Sequence, residues 1–213
     1  MAWHGRNYFL GMQKIAKIWA KALLFLAGVK VKTAGLENIK EEPHIFAVNH
    51  QSMFDIMIVL ASLPLPFHFI AKESLFKIPV FGWVMSWGGY FPINRVSHTD
   101  ARRTMDDITK HILEEKASIL IYPEGTRSLD GHLLPFKKGC AALGHQTGAT
   151  IYPVGIQNSG RIAVKGSLRI HPQTVSLKIG AGIKLQKLPL GQVDPQTLNV
   201  STQKIKAEIE KLI

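Results

Sequence analysis

A histidine and an aspartate stand five residues apart in Val48-Asn49-His50-Gln51-Ser52-Met53-Phe54-Asp55, where an apolar stretch gives way to a polar turn and then to a second apolar run. On one regular helix the two side chains would point about 140° apart and could not meet. With His50 in the turn and Asp55 in the first helical turn, the chain can fold the imidazole back over the carboxylate. The acid then holds one ring nitrogen and leaves the other as a general base. An alcohol needs such a base to become a competent nucleophile, and one typically contributes roughly 10²–10⁴ in rate. The same residues also fit a capping box, with Ser52 at the N-cap and Asp55 completing it. In that reading Asp55 closes a helix end and His50 is a polar loop residue. The segment alone leaves both open.

A second segment bears on the choice. Ile119-Leu120-Ile121-Tyr122-Pro123-Glu124-Gly125-Thr126-Arg127-Ser128 reads as a buried strand running into a loop at a sheet's end. Pro123 removes a backbone donor and ends the strand, and Gly125 lets the chain turn or approach a ligand closely. Glu124 and Arg127 offer an acceptor and a forked donor, a pair suited to a hydroxyl and a phosphate. The plainer reading, a turn with a surface ion pair, is worth little energetically.

Four blocks, taken in order, resemble the glycerolipid acyltransferases, the family that includes bacterial 1-acylglycerol-3-phosphate (lysophosphatidic acid) acyltransferases. Asn49 to Asp55 is similar to the first motif, a histidine followed by four residues and an aspartate, and Tyr122 to Ser128 to the third. Between them, Lys72 to Gly82 leads into Gly89-Tyr90-Phe91-Pro92-Ile93-Asn94-Arg95, similar to the second. Tyr152-Pro153-Val154 sits where the fourth is expected. The likeness covers roughly residues 35–185.

The resemblance implies that His50 is the base and Asp55 its orienting partner. It also implies that Arg95 and Arg127 contact the acceptor's phosphate, that Glu124, Gly125 and Thr126 line its glycerol end, and that Pro153 lies near the acyl donor. The implied reaction moves a fatty acyl group from acyl-CoA or acyl-carrier protein, as co-substrate, directly onto the free 2-hydroxyl of 1-acylglycerol-3-phosphate, giving phosphatidic acid. No cofactor, metal or acyl-enzyme is expected. One departure stands out: Asn94 occupies a place where the family commonly has Asp. It motivates an alternative acceptor for the same chemistry, such as another lysophospholipid, glycerol 3-phosphate or an acylated amino acid lipid.

The elements that must position these groups alternate along the chain. Strands are expected at 44–48, 67–71, 118–122 and 150–156, and helices at 52–60, 80–87, 99–116, 137–146 and 195–212. A hairpin is expected over Ser167 to Ile179. This pattern predicts an α/β fold, a single domain at 35–213 with a mixed central β-sheet flanked by helices. Residues 1–34 are expected to form an N-terminal amphipathic, membrane-associating helical segment, helical over 8–28. Ile15, Trp19, Ala22, Leu23 and Leu26 should share one face, and Lys14, Lys17 and Lys21 another. The apolar run Ala22 to Val29 is far short of the ~20 residues a bilayer span needs. Basic residues ahead of an apolar patch also suit a secretory leader, but no small-x-small cleavage site follows.

The formal net charge of +11 is unevenly spread. Residues 1–40 hold seven Lys or Arg against Glu37 alone, and residues 160–187 hold six with no acid, which points to an anionic partner. Aromatic residues are not interleaved with the basic ones as a stacking platform for single strands requires, so a nucleic acid is not expected. An anionic membrane surface is, at the cytoplasmic face of the inner membrane. A hydrolase would want a Gly-x-Ser-x-Gly elbow, and none is present. The single cysteine, Cys140, allows no internal disulfide and reads as a small buried hydrophobe. The remaining histidines lack ligand-like spacing with Cys or acids.

Overall fold

The computed structural model describes all residues except 1–5, 41–42, 64–65, 80, 95–96, 129, 164–168 and 190–191. Seven strands form one sheet: β1 (Lys30–Ala34), β2 (His44–Val48), β3 (His68–Lys72), β4 (Phe91–Ile93), β5 (Ile119–Ile121), β6 (Thr150–Gln157) and β7 (Thr174–Ile179). Their spatial order is β1-β7-β6-β2-β5-β3-β4. Every pairing is parallel except β6 with β7, so the sheet is mixed. The helices are α1 (Arg6–Leu26), α2 (Phe54–Ser62), α3 (Glu73–Phe76), α4 (Phe81–Trp87), α5 (His98–Glu115), α6 (Gly139–Thr147) and α7 (Pro195–Glu210).

Both faces of the central strands are covered, which is why β2 is an unbroken apolar run rather than an alternating one. Its Phe46 and Val48 join a core with Ile58 and Val59 of α2 and Ala20 and Leu24 of α1. Its Ile45 and Ala47 join the opposite core with Ile108 and Ile112 of α5, Leu143 of α6 and Ile205 of α7. Period-two alternation therefore sorts each strand between two apolar layers, and the loops that follow β2, β5 and β6 gather along one end of the sheet.

Three expectations need correction. The hairpin over Ser167 to Ile179 does not form as such: its first residues lie outside the described ones, and Arg169–Gln173 are not strand. Instead β7 pairs antiparallel with β6 and parallel with β1. Pro172 offers no ladder donor, while β6, buried from Thr150 to Ile156, offers a long partner for Leu177 and Ile179. Two strands carry little sequence signal. β1 is a basic edge strand with an almost wholly exposed burial pattern, and it lies before residue 35 yet is hydrogen-bonded into the sheet. β4 is three residues long and contains Pro92, tolerable because it is an edge.

The third correction concerns α1, where Lys17, expected with Lys14 and Lys21 on a basic face, packs against the domain. The side against the domain carries the small Ala16 and Ala20 with Leu24, plus two polar anchors. Gln13 Nε2 donates to the Phe67 carbonyl at 3.0 Å, and Lys17 Nζ to the Leu63 carbonyl at 2.8 Å. Lys17 thus caps the carboxyl end of α2, where a cation complements the helix dipole, and desolvation followed by the nearby Lys21 lowers its pKa. Ile15, Ile18, Trp19, Phe25 and Leu26 face outward, the last two about 80% exposed (83% and 79%). Among the described residues no helix is long and apolar enough to cross a membrane.

Candidate active site

Where β2 ends, Asn49 turns fully inward. Its Nδ2 donates to the Ile156 carbonyl at 2.9 Å and its Oδ1 accepts from the Ile156 amide at 2.7 Å. One side chain thereby ties the exit of β2 to the exit of β6. The next residue, His50, is pinned by its backbone: its amide donates to Glu124 Oε1 at 2.8 Å, and its carbonyl accepts from the Ser128 amide at 2.8 Å. The loop after β5 therefore holds both polar groups of the His50 main chain.

The imidazole meets the carboxylate it was paired with in sequence. Nδ1 lies 2.8 Å from Asp55 Oδ2. That oxygen also accepts from the amides of Gln51 at 2.7 Å and Ser52 at 2.9 Å. Asp55 is completely buried, and three donors on one oxygen offset the cost of burying its charge. Because Oδ2 accepts from two backbone N–H groups, the ring atom facing it is the donor Nδ1–H, and in the neutral ring Nε2 is then the acceptor. Nε2 has no hydrogen-bond partner among the described residues, and the ring is 13% exposed. The N-cap of α2 is Met53 rather than the expected Ser52 and carries no side-chain cap, but Asp55 still accepts from the Ser52 amide while Ser52 Oγ accepts from the Phe54 amide at 3.3 Å. The turn that enters α2 and the orientation of the imidazole thus rest on the same carboxylate oxygen.

Tyr122 completes the support of the ring. It stacks on His50 with centroids 4.1 Å apart and planes 19° from parallel. Burial, and then the Asp55 charge, push its phenol well above the ordinary tyrosine range. Its hydroxyl has no partner among the described residues.

The loop after β5 divides its residues between bracing and lining. Glu124 is buried, with Oε1 on the His50 amide and Oε2 accepting from the Leu134 amide at 3.0 Å. Both oxygens are committed to backbone, so Glu124 positions the loop rather than presenting a free carboxylate. Burial raises its pKa, opposed by those two amides. Gly125 adopts φ 69°, the left-handed region that favours glycine; a Cβ there would come within 2.9 Å of Lys137 Cε, the movable end of a long side chain, so it is the backbone conformation that calls for glycine. Thr126 is exposed. Arg127, half-buried, lines a cavity of about 690 Å³ together with Gln51, Gln157 and Arg161. Pro153 is not at that cavity. It is buried within β6 opposite Ala47, and its carbonyl accepts from Gly180. Arg95 lies outside the described residues. Asn94, just before it, serves helix α5: its Oδ1 accepts from the Ser97 amide and its Nδ2 donates to Asp100, both at 3.3 Å.

Sequence reasoning missed Asn49, Tyr122 and Gln51 as parts of this arrangement. A buried amide at the end of a wholly apolar strand was the available signal for Asn49. The aromatic residue immediately before Pro123-Glu124 was the signal for Tyr122. Nothing local marked Gln51, whose Nε2 donates to the Gly131 carbonyl at 3.0 Å.

Residues 30–157 match the family model described as Acyltransferase. The chain is 38% identical over 157 residues to a chloroplastic 1-acyl-sn-glycerol-3-phosphate acyltransferase of Arabidopsis thaliana, an overlap of 72% of this chain and 43% of that protein. It is 33% identical over 161 residues to the 1-acyl-sn-glycerol-3-phosphate acyltransferase of Saccharomyces cerevisiae, covering 72% and 53%. The chain thus spans about half the length of these curated relatives. Among solved structures it resembles the 1-acyl-sn-glycerophosphate (LPA) acyltransferase PlsC of Thermotoga maritima, with TM-score 0.74 and 28% identity over 94% of this chain and 79% of that one.

Proposed function

The chain belongs to the acyltransferase family, and from that premise we propose that it transfers a fatty acyl group from an acyl thioester, acyl-CoA or acyl-carrier protein, to the 2-hydroxyl of 1-acylglycerol-3-phosphate, giving phosphatidic acid. The observation that carries this reading is the 2.8 Å contact between His50 Nδ1 and a fully buried Asp55, with Nε2 unpartnered among the described residues and the next residue, Gln51, lining a cavity shared with Arg127.

In this mechanism the acceptor hydroxyl approaches His50 Nε2 and attacks the thioester carbonyl. A C–O bond forms as the hydroxyl proton passes to Nε2, and Asp55 stabilises the imidazolium through Nδ1–H. Collapse of the tetrahedral intermediate breaks the C–S bond, and the proton on Nε2 goes to the departing sulfur. The ester, the free thiol and the neutral histidine balance the step with no covalent enzyme intermediate. Tyr122, Glu124 and Asn49 act through His50 by fixing the ring and its backbone. Arg127, with Arg95, takes the acceptor's phosphate.

The acceptor is an amphiphile and its hydroxyl must reach Nε2 from a lipid layer. The outward Ile15, Ile18, Trp19, Phe25 and Leu26 of α1, flanked by Lys14 and Lys21, suit an anionic interface, where apolar side chains enter the headgroup region and basic ones meet the phosphates. We place the protein there, at the cytoplasmic face of the inner membrane.

The test is an assay with purified protein, lysophosphatidic acid and labelled acyl-CoA or acyl-carrier protein. Phosphatidic acid should form with wild type and fall by roughly 10³ with His50→Ala. Undiminished transfer by His50→Ala would refute the mechanism, and free fatty acid formed without acceptor would refute the reaction.

A further inference from the structure

Arg161 lies outside the four sequence blocks yet shares the cavity with Arg127. It follows β6 on a short 3-10 turn, Ser159–Arg161, entered through Asn158 in the left-handed conformation at φ 68°. The turn is fastened from within. Arg161 N donates to the Asn158 carbonyl at 3.2 Å and Ile162 N to the Ser159 carbonyl at 3.1 Å, and Ile162 is fully buried. Its Gly160 packs over the residue after the base, since a Cβ there would sit 3.6 Å from Gln51 Cβ. Gln51 also reaches the other segment through Gly131. The two arginines therefore come from separate loops that are joined by the immediate neighbour of His50.

The charges around them are disposed for an anion. Among the described residues neither guanidinium forms a salt bridge with a carboxylate. Asp130, the acid in the cavity wall, already accepts on Oδ1 from Ser128 Oγ at 2.9 Å and the His132 amide at 3.0 Å. A single guanidinium fork saturates the two oxygens of a carboxylate, whereas a phosphomonoester presents three terminal oxygens and close to two charges, a match for two forks.

We propose that Arg161 joins Arg127 in binding a phosphomonoester carried by a substrate. This rests on the reading that the substrates are an acyl thioester and a phosphorylated acceptor. Two sources share the chemistry: the acceptor headgroup and the 3′-phosphate of CoA.

Steady-state kinetics of wild type, Arg161→Ala and Arg161→Lys on the full chain separate them. If the acceptor supplies the phosphate, Arg161→Ala raises KM for lysophosphatidic acid roughly tenfold with kcat nearly unchanged, and Arg161→Lys falls between. If CoA supplies it, the rise appears in KM for acyl-CoA and is absent with the dephospho-CoA thioester. Either result supports the site and names its ligand. Calorimetric titration with glycerol 3-phosphate gives a readout independent of turnover, with weaker binding expected in Arg161→Ala. If wild type fails to acylate lysophosphatidic acid while this binding still depends on Arg161, the proposed reaction falls and the phosphate site stands. Unchanged KM for both substrates together with unchanged glycerol 3-phosphate binding overturns the proposal.

Discussion

His50 lies just past one strand of the sheet and His68 opens another, and their surroundings could hardly differ more. His68 is buried, stacked on Phe9 at 4.1 Å, and faces the Gly89 carbonyl through Nδ1 at 2.8 Å. Its neighbour His111 sits 5.0 Å away. Burial pushes both down to about 4, opposed at His68 by the Gly89 carbonyl and reinforced at His111 by His68. His50 instead shares an aromatic stack with Tyr122, holds an anchored anion on Nδ1 and keeps some exposure to solvent, with Nε2 unpartnered among the described residues. Aromatic packing is common to both sites. What separates His50 from a core residue is a fixed carboxylate on one ring nitrogen and no partner among the described residues on the other, the disposition the proposed base needs.

The contrast can be broken most directly by exchanging the losses. His50→Ala should lower kcat by roughly 10³ with little change in Tm. His68→Ala should cost on the order of 2 kcal/mol of stability yet leave kcat per folded molecule within a few-fold. Activity and thermal unfolding measured on both variants decide it, and a large kcat loss in a folded His68→Ala protein would erase the distinction. Asp55→Asn comes next, with a kcat loss on the order of 10² or more and a lower Tm, because an amide cannot accept from the ring and two backbone amides as an anion does.

Smaller effects sharpen the comparison. Glu124→Gln turns one brace oxygen into a donor facing the His50 or Leu134 amide. It should cost about 1–3 kcal/mol and lower kcat about tenfold, both readable from unfolding and rate measurements on one sample. The buried histidines add a pH signature. The unfolded chain takes up protons near 6.5, but His68 and His111 in the fold do so only near 4. Their contribution is therefore complete above pH 6.5 and is lost as pH falls from there toward 4. Tm followed over that range should drop less in His111→Gln than in wild type. Tyr122→Phe should change least, since it keeps the stack and removes a hydroxyl with no partner among the described residues. Kcat within about threefold and Tm equal or slightly higher are expected.

The central strands and most helices were legible because their apolar periodicity has a direct structural cause. β1 and β4 were not, being short or basic edges whose membership depends on a partner far along the chain. The dyad was legible because its two residues are five apart. The groups that hold it were not, because Glu124 is 74 residues from His50 and Ile156 is 107 from Asn49. For α1 the helix was legible but its buried face was not. Ala16, Ala20, Gln13 and Lys17 pack inward because small side chains allow close approach and the Leu63 and Phe67 carbonyls take donors from α1.

The Asn49 clamp has a consequence for how the protein comes to life. His50 and Asp55 can approach each other as soon as α2 forms, but Asn49 can close on Ile156 only after β6 has docked beside β2. Non-local pairings of this kind bear a loop-closure entropy that local contacts escape, and they are made late. During refolding, helical signal should return first and the clamp last, so a chain can look folded before its base is aimed.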